Sequence, residues 1–160
     1  MVRVQTEDFD IGAELSRLLK GNNKIGALVT FTGLVRDLAG SELIESMTLE
    51  HYPGMTEREL NRIEDEACRR WPLEASLIIH RTGTLRPGDR IVLVVTASAH
   101  RQAAFEANAF LVDWLKTKAP FWKLETGPGG SGWVAARAED QMAADRWSKT
   151  GNPKSFKKKN

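Results

Sequence analysis

The chain is short of the residues that usually announce a site. Its 160 residues hold one cysteine, one tyrosine and three histidines. A lone Cys68 cannot close an internal disulfide, so no covalent framework is expected and a reducing compartment, the cytoplasm, is implied. His51, His80 and His100 stand apart, without HxxxH or CxxC spacing, which argues against a metal site. Neither GxSxG nor GxxxxGK[ST] occurs, so a nucleophile elbow and a P-loop are both set aside, and nothing calls for a bound cofactor. The longest apolar runs, such as Ile91–Val95, fall far short of the ~20 residues that a membrane span needs. The first eight residues are polar and acidic, with no apolar core of a secretion signal.

What is present is ordinary in bulk and uneven in place. Hydrophobic residues make up 41% and charged residues 28%, a balance that suits one soluble domain with a proper core. The net charge of +2 conceals a division. Residues 148–160 carry Lys149, Lys154, Lys157, Lys158 and Lys159 and no acid, which leaves residues 1–147 at −3. The expected organisation is therefore one domain over 1–147 followed by a basic, disordered, solubilising tail. A mildly acidic body is a poor nucleic-acid binder, and any basic cluster inside it has to be assembled locally.

Periodicity supplies the elements. Asp10–Lys20 places Ile11, Leu15, Leu18 and Leu19 on one helical face, with Gly21 as a stop. Lys24–Leu34 reads as a strand, and so does Glu42–His51. Thr56–Trp71 repeats Leu60, Ile63, Ala67 and Trp71 at helical spacing and ends at Pro72. Cys68 is expected half-buried within it. Ala75–Arg81 and Arg90–Ser98 are strands joined by the turn Arg86-Pro-Gly-Asp89, and the second is apolar on both faces and hence central. Ala103–Lys118 reads as a helix burying Phe105, Ala109, Val112 and Leu115, closed by Pro120. Phe121–Glu125 and Trp133–Ala136 form a hairpin around a flexible loop, Gly127–Gly132, and Glu139–Trp147 closes the domain as a helix. The five tryptophans read as core and interface material. This order of helices and hairpins indicates an α+β fold.

The chemical signal is where the cations fall. Arg36 follows a strand, His100 and Arg101 sit where the central strand enters the best helix, Lys116 and Lys118 occupy that helix's last turn, and Lys123 begins the hairpin. A strand-to-helix junction bearing His and Arg is a ready anion site, with Ser98 placed to cap the helix. Each charge also has a plain reading. A lysine at a helix C-terminus suits the dipole, Arg36 could be a solvated loop charge, and His100 could be a satisfied hydrogen-bonding residue. Spacing does not bring them together.

Several stretches resemble one family. Phe31-Thr-Gly-Leu-Val-Arg36, Leu49-Glu-His-Tyr-Pro-Gly-Met55, His80-Arg-Thr-Gly83, Arg86-Pro-Gly-Asp89, Ser98-Ala-His-Arg101, Leu115-Lys-Thr-Lys-Ala-Pro-Phe-Trp-Lys-Leu-Glu125 and Trp133-Val-Ala-Ala-Arg137 are similar, in order, to the molybdopterin synthase catalytic subunits. The resemblance implies an α/β hammerhead fold and a homodimer. It further implies a heterotetramer with a small ubiquitin-like sulfur carrier, whose C-terminal Gly-Gly thiocarboxylate donates sulfur to an anionic pterin, cyclic pyranopterin monophosphate. It implies that Lys116 and Lys123 are catalytic and contact substrate. Arg36, His100 and Arg101 match anion- and substrate-binding positions, Glu125 lies beside Lys123, and Arg137 matches a pocket residue supplied across the dimer. Two readings compete with the enzyme. One is a module that binds a ubiquitin-like protein without catalysis; the other is a nucleic-acid binder acting through its tail and tryptophans.

Overall fold

The computed structural model describes residues 1–39, 42–134 and 138–148. Two four-stranded sheets organise them. The first has the order β1 (Val2–Gln5), β6 (Leu73–Arg81), β8 (Arg90–Ser98), β2 (Ala27–Leu34); β1 runs parallel to β6 and the other pairs are antiparallel. The second, all antiparallel, has the order β10 (Gly130–Val134), β9 (Phe121–Gly127), β5 (Ser46–His51), β7 (Gly83–Leu85). A small ribbon pairs β3 (Leu38–Ala39) with β4 (Glu42–Leu43). Four helices complete the mixed α+β architecture: α1 (Ile11–Leu19), α2 (Met55–Arg70), α3 (Arg101–Thr117) and α4 (Ala138–Asp145), the last running into a 3-10 turn at Arg146–Ser148.

The run Ile-Val-Leu-Val-Val is apolar throughout because β8 lies inside the first sheet with helices on both faces. Val92 and Val94 point to α2 and α3, where they pack with Leu60, Ile63, Phe110 and Leu111. Leu93 and Val95 point the other way, to Phe9 and the α1 residues Ile11, Leu15 and Leu18. The strand's period of two thus feeds two cores at once. Leu93, Val94 and Val95 are fully buried, each contributing roughly 1.5–3 kcal/mol of transfer free energy. A third cluster, Val35, Met47, Leu49 and Leu85, ties the second sheet to the chain leaving β2.

Several sequence expectations change. Strands β1 and β7 were not expected, and Glu42–His51 is two strands, β4 and β5. On α3 the buried face is Ala104, Ala107, Asn108, Phe110, Leu111 and Trp114, whereas Phe105 is 61% exposed. The reason is Asn108, whose buried amide donates to the carbonyls of Val29 (3.3 Å) and Val94 (3.1 Å) and so turns a polar residue inward. Cys68 is exposed, with its Sγ 3.9 Å from Ser76 Oγ. The glycine-rich stretch is mostly strand: Gly127 pairs with Gly130 across a two-residue connection, and Gly130 takes φ 118°. The basic tail from 149 onward lies outside the described residues.

Candidate active site

A cleft of about 390 Å³ opens where the two sheets meet the end of α3. Its second-sheet wall follows from strand alternation. Phe121, Lys123 and Glu125 lie on one face of β9, opposite His51, Leu49 and Met47 of β5, and Lys123 is flanked on its other side by Val134 of β10. Trp122 lies on the reverse face. The first sheet contributes Phe31 and Gly33 of β2, Ile91 and Val92 of β8, and His80 of β6, while α3 contributes Val112, Leu115, Lys116 and Thr117. At Gly33 a Cβ would come within 2.8 Å of Val92 Cγ1, so glycine is what lets β2 lie this close to its neighbour.

Arg36 reaches the cleft through backbone hydrogen bonds distant in sequence. The register slips between Gly33 and Leu34. Beyond the slip, Val35 is held at both ends by the Arg86-Pro-Gly-Asp89 turn: its N–H donates to the Asp89 carbonyl, and its carbonyl accepts from Gly88 N–H, each at 2.9 Å. Gly88, at φ 90°, and the Asp89 carboxylate, which accepts from Arg86 N–H at 2.8 Å, shape that turn. The turn therefore fixes where Arg36 leaves the sheet.

Among the described residues, three cations, Arg36, Lys116 and Lys123, and one acid, Glu125, line the cleft. Glu125 Oε1 sits 3.0 Å from Lys123 Nζ. Lys116, in the last turn of α3, has neither an ion pair nor a hydrogen bond among the described residues. His80 was not among the site residues expected from the sequence. It is buried, with its ring stacked on Phe121 (centroids 3.7 Å apart, planes at 13°) and its Nδ1 2.8 Å from the Arg81 carbonyl. Burial, helped by the nearby charges of His51 and Lys116, pushes its imidazole down to about 4, so it is neutral near pH 7. Alternation along β6 placed it on the same face as Ile78, toward α3. That was the available signal, but it needed the knowledge that the second sheet closes over this end.

His100 and Arg101 are not in this cleft. They are exposed at the start of α3, and Lys116 lies fifteen positions along the helix from Arg101, roughly 22 Å along the axis at about 1.5 Å per residue. His100 is the N-cap residue, without a side-chain cap bond. Ser98, expected as the cap, instead donates its hydroxyl to the Pro72 carbonyl at 2.7 Å and accepts from His100 N–H at 3.4 Å. Arg137 lies outside the described residues. Among the described residues no three His, Cys, Asp or Glu side chains gather as a metal site, and no helix is long and apolar enough to cross a membrane.

Comparison with known proteins shows the family. The MoaE protein family matches residues 4–118. The molybdopterin synthase catalytic subunit of Mesorhizobium japonicum is 55% identical over 148 residues, 91% of this chain and 92% of that one. The solved structure of the molybdopterin biosynthesis MoaE protein from Burkholderia ambifaria superposes with a TM-score of 0.79 at 51% identity, covering 92% of this chain and 97% of that one. The same fold, at 18% identity and a TM-score of 0.70, occurs in a complex of subunits 1 and 2 of the molybdopterin-converting factor from Helicobacter pylori, covering 85% of this chain and 91% of that one. With more than half its length matched by the family and a relative this similar over nine-tenths of it, the chain belongs to the MoaE family of molybdopterin synthase catalytic subunits, enzymes of molybdenum cofactor biosynthesis.

Proposed function

We propose that the cleft transfers sulfur from the C-terminal thiocarboxylate of a small ubiquitin-like carrier to cyclic pyranopterin monophosphate. The observation that carries this is the gathering of Arg36, Lys116 and Lys123 around one cavity, with a single acid already engaged by Lys123. Such a site is electrically unsatisfied until anions enter, and both reactants are anions. A Gly-Gly tail has no side chains, which suits a narrow cleft whose walls are largely Phe31, Met47, Leu49, Val112 and Leu115.

In each round the carrier's sulfur forms a bond to a side-chain carbon of the pterin while a carbon–oxygen bond at that carbon breaks, one round opening the cyclic phosphate to a monoester and the other expelling the oxygen as water. Water then cleaves the bond between sulfur and the carrier's carbonyl carbon, leaving sulfur on the pterin and a carboxylate on the carrier. Two rounds give the dithiolene of molybdopterin. The tetrahedral carbon of each hydrolysis bears negative charge that a lysine ammonium stabilises. We assign proton transfer and tail activation to Lys116, and substrate orientation and charge stabilisation to Lys123, with Glu125 fixing the latter's direction.

His100 and Arg101 enter this reading as a phosphate site at a helix N-terminus, where free N–H groups and the dipole add to the side chains. Their distance from Lys116 along α3 makes a second copy of the chain the natural source of the pair for any one cleft, as a homodimer within a heterotetramer supplies; Arg137 is assigned the same role. We place the reaction in the cytoplasm. The test is direct: incubate the protein with thiocarboxylated carrier and the cyclic phosphate precursor, and look for the dithiolene product by mass. Carrier binding without product would favour the non-catalytic module.

A further inference from the structure

The two cleft lysines keep different company. Lys123 is held by a carboxylate. Among the described side chains lining the cleft, acceptors for Lys116 are few: Glu125 is taken, and the Thr117 hydroxyl donates to the carbonyls of Asp113 (2.9 Å) and Trp114 (3.4 Å) of its own helix. His80 remains. A carbonyl can only accept, so the 2.8 Å contact with the Arg81 carbonyl puts the ring hydrogen on Nδ1 and leaves the lone pair on Nε2. The ring is not free to turn, because Phe121 stacks on its face and His51 lies against Phe121 in turn, centroids 6.2 Å apart. His80 lines the same cavity as Lys116, close enough for the ammonium charge to act on the imidazole.

We propose that His80 is a positioning residue for Lys116, its Nε2 lone pair accepting one N–H of the ammonium and aiming that side chain at the reacting carbon. The inference rests on the sulfur-transfer reading above. An imidazole suits the task better than its alternatives. A carboxylate in that place would favour the charged ammonium, and an imidazolium would repel it. A neutral ring orients the lysine and still lets a proton leave and return. Burial, then the charges of His51 from β5 and Lys116 from α3, act against protonation of His80 and outweigh the bond to the Arg81 carbonyl, which favours it. Lys123 and Glu125 of β9 and Arg36 from beyond β2 line the same cavity, and the Arg81 guanidinium is engaged by the Thr6 and Arg90 carbonyls and by Asp8.

Three substitutions separate orientation from packing. His80→Phe keeps a ring against Phe121 and removes the lone pair. His80→Gln offers an oxygen near the place of Nε2, and His80→Asn only near that of Nδ1. In the sulfur-transfer assay, His80→Phe and His80→Asn are expected to lower kcat about tenfold or more with KM little changed and to displace the kcat–pH profile, while His80→Gln recovers most of both. Wild-type turnover and an unmoved pH profile in His80→Phe and His80→Asn would overturn the proposal. So would His80→Gln being as slow as His80→Asn, a comparison that stands even if the phenylalanine variant does not fold. A second readout needs no turnover. The imidazole ¹⁵N spectrum of the full chain should show Nε2 unprotonated near neutral pH and shifted by Lys116→Ala; an unmoved resonance would remove the contact. Wild-type protein that makes no product while this resonance does shift would instead sink the sulfur-transfer reading and leave the contact standing.

Discussion

Acidification from pH 7 to pH 5 should cost the protein about 2 kcal/mol of stability through His80 alone. In the unfolded chain this imidazole takes up its proton near 6.5, whereas in the folded protein burial beneath Phe121, with His51 and Lys116 nearby, holds it at about 4. The folded value is the lower, so the unfolded state binds the proton first. The contribution is complete above about pH 6.5, falls away as pH drops through the interval between the two values, and is flat below about pH 4. At about 1.4 kcal/mol per unit, the loss is about 2 kcal/mol by pH 5 and about 3 by pH 4. Urea unfolding of the wild type and of His80→Gln, each at pH 7 and pH 5, isolates the effect because glutamine does not titrate. The wild type's advantage over the variant should shrink by about 2 kcal/mol at the lower pH. An advantage equal at both pH values would show that the imidazole is not kept neutral by its surroundings.

Other perturbations probe the site and its supports. Lys116→Ala should lower sulfur transfer by about 10²–10⁴-fold with thermal stability unchanged, and near-normal product formation would remove Lys116 from the chemistry. Gly26→Ala should destabilise the fold by about 1–3 kcal/mol, because the added Cβ would lie 2.4 Å from the Ala99 carbonyl oxygen. Calorimetry reads that cost, and a weaker affinity for the cyclic phosphate should accompany it, since Ala99 precedes His100; an unchanged Tm would show that the backbone yields freely there. Deleting residues 148–160 should leave kcat for the dithiolene product within about twofold of the full chain, whereas a nucleic-acid function would show as salt-dependent binding lost with the tail.

How far the sequence revealed this molecule depended on whether a feature was local. Strand β8 was legible as central because a strand covered on both faces reads as a near-continuous apolar run, here Ile91–Val95. Helix α2 was legible because its buried stripe Leu60, Ile63, Ala67, carried on to the capping Trp71, is separated mostly by charged residues. Helix α3 was legible as a helix and misread in orientation. Val112 and Leu115 serve the cleft as well as the core edge, so apolar residues run most of the way round it, and the polar marker Asn108 is buried on backbone carbonyls that no hydropathy pattern shows. Strands β1 and β7, of four and three residues, are too short to carry a period, and β1 exists because β6 offers it an edge.

The cationic cluster shows the same limit more sharply. Read along the chain, Arg36, His100, Arg101, Lys116 and Lys123 are five charges of equal standing. Folding sorts them by physical means that spacing does not encode. A turn fifty residues downstream holds Val35 and so aims Arg36. The rise of one helix carries His100 and Arg101 away from Lys116. Strand alternation sets Lys123 beside Glu125, and the stack of His80 on Phe121 holds a neutral ring in the cavity that Lys116 also lines. Two lysines with the same chemistry thus receive different neighbours, one a counter-charge and the other, on our proposal, a lone pair. A lysine locked to a carboxylate is suited to hold charge in place, and a lysine without one is suited to exchange its proton. The division of labour we propose between Lys123 and Lys116 rests on the neighbours that folding gives each side chain, and the order of the residues in the chain has no part in it.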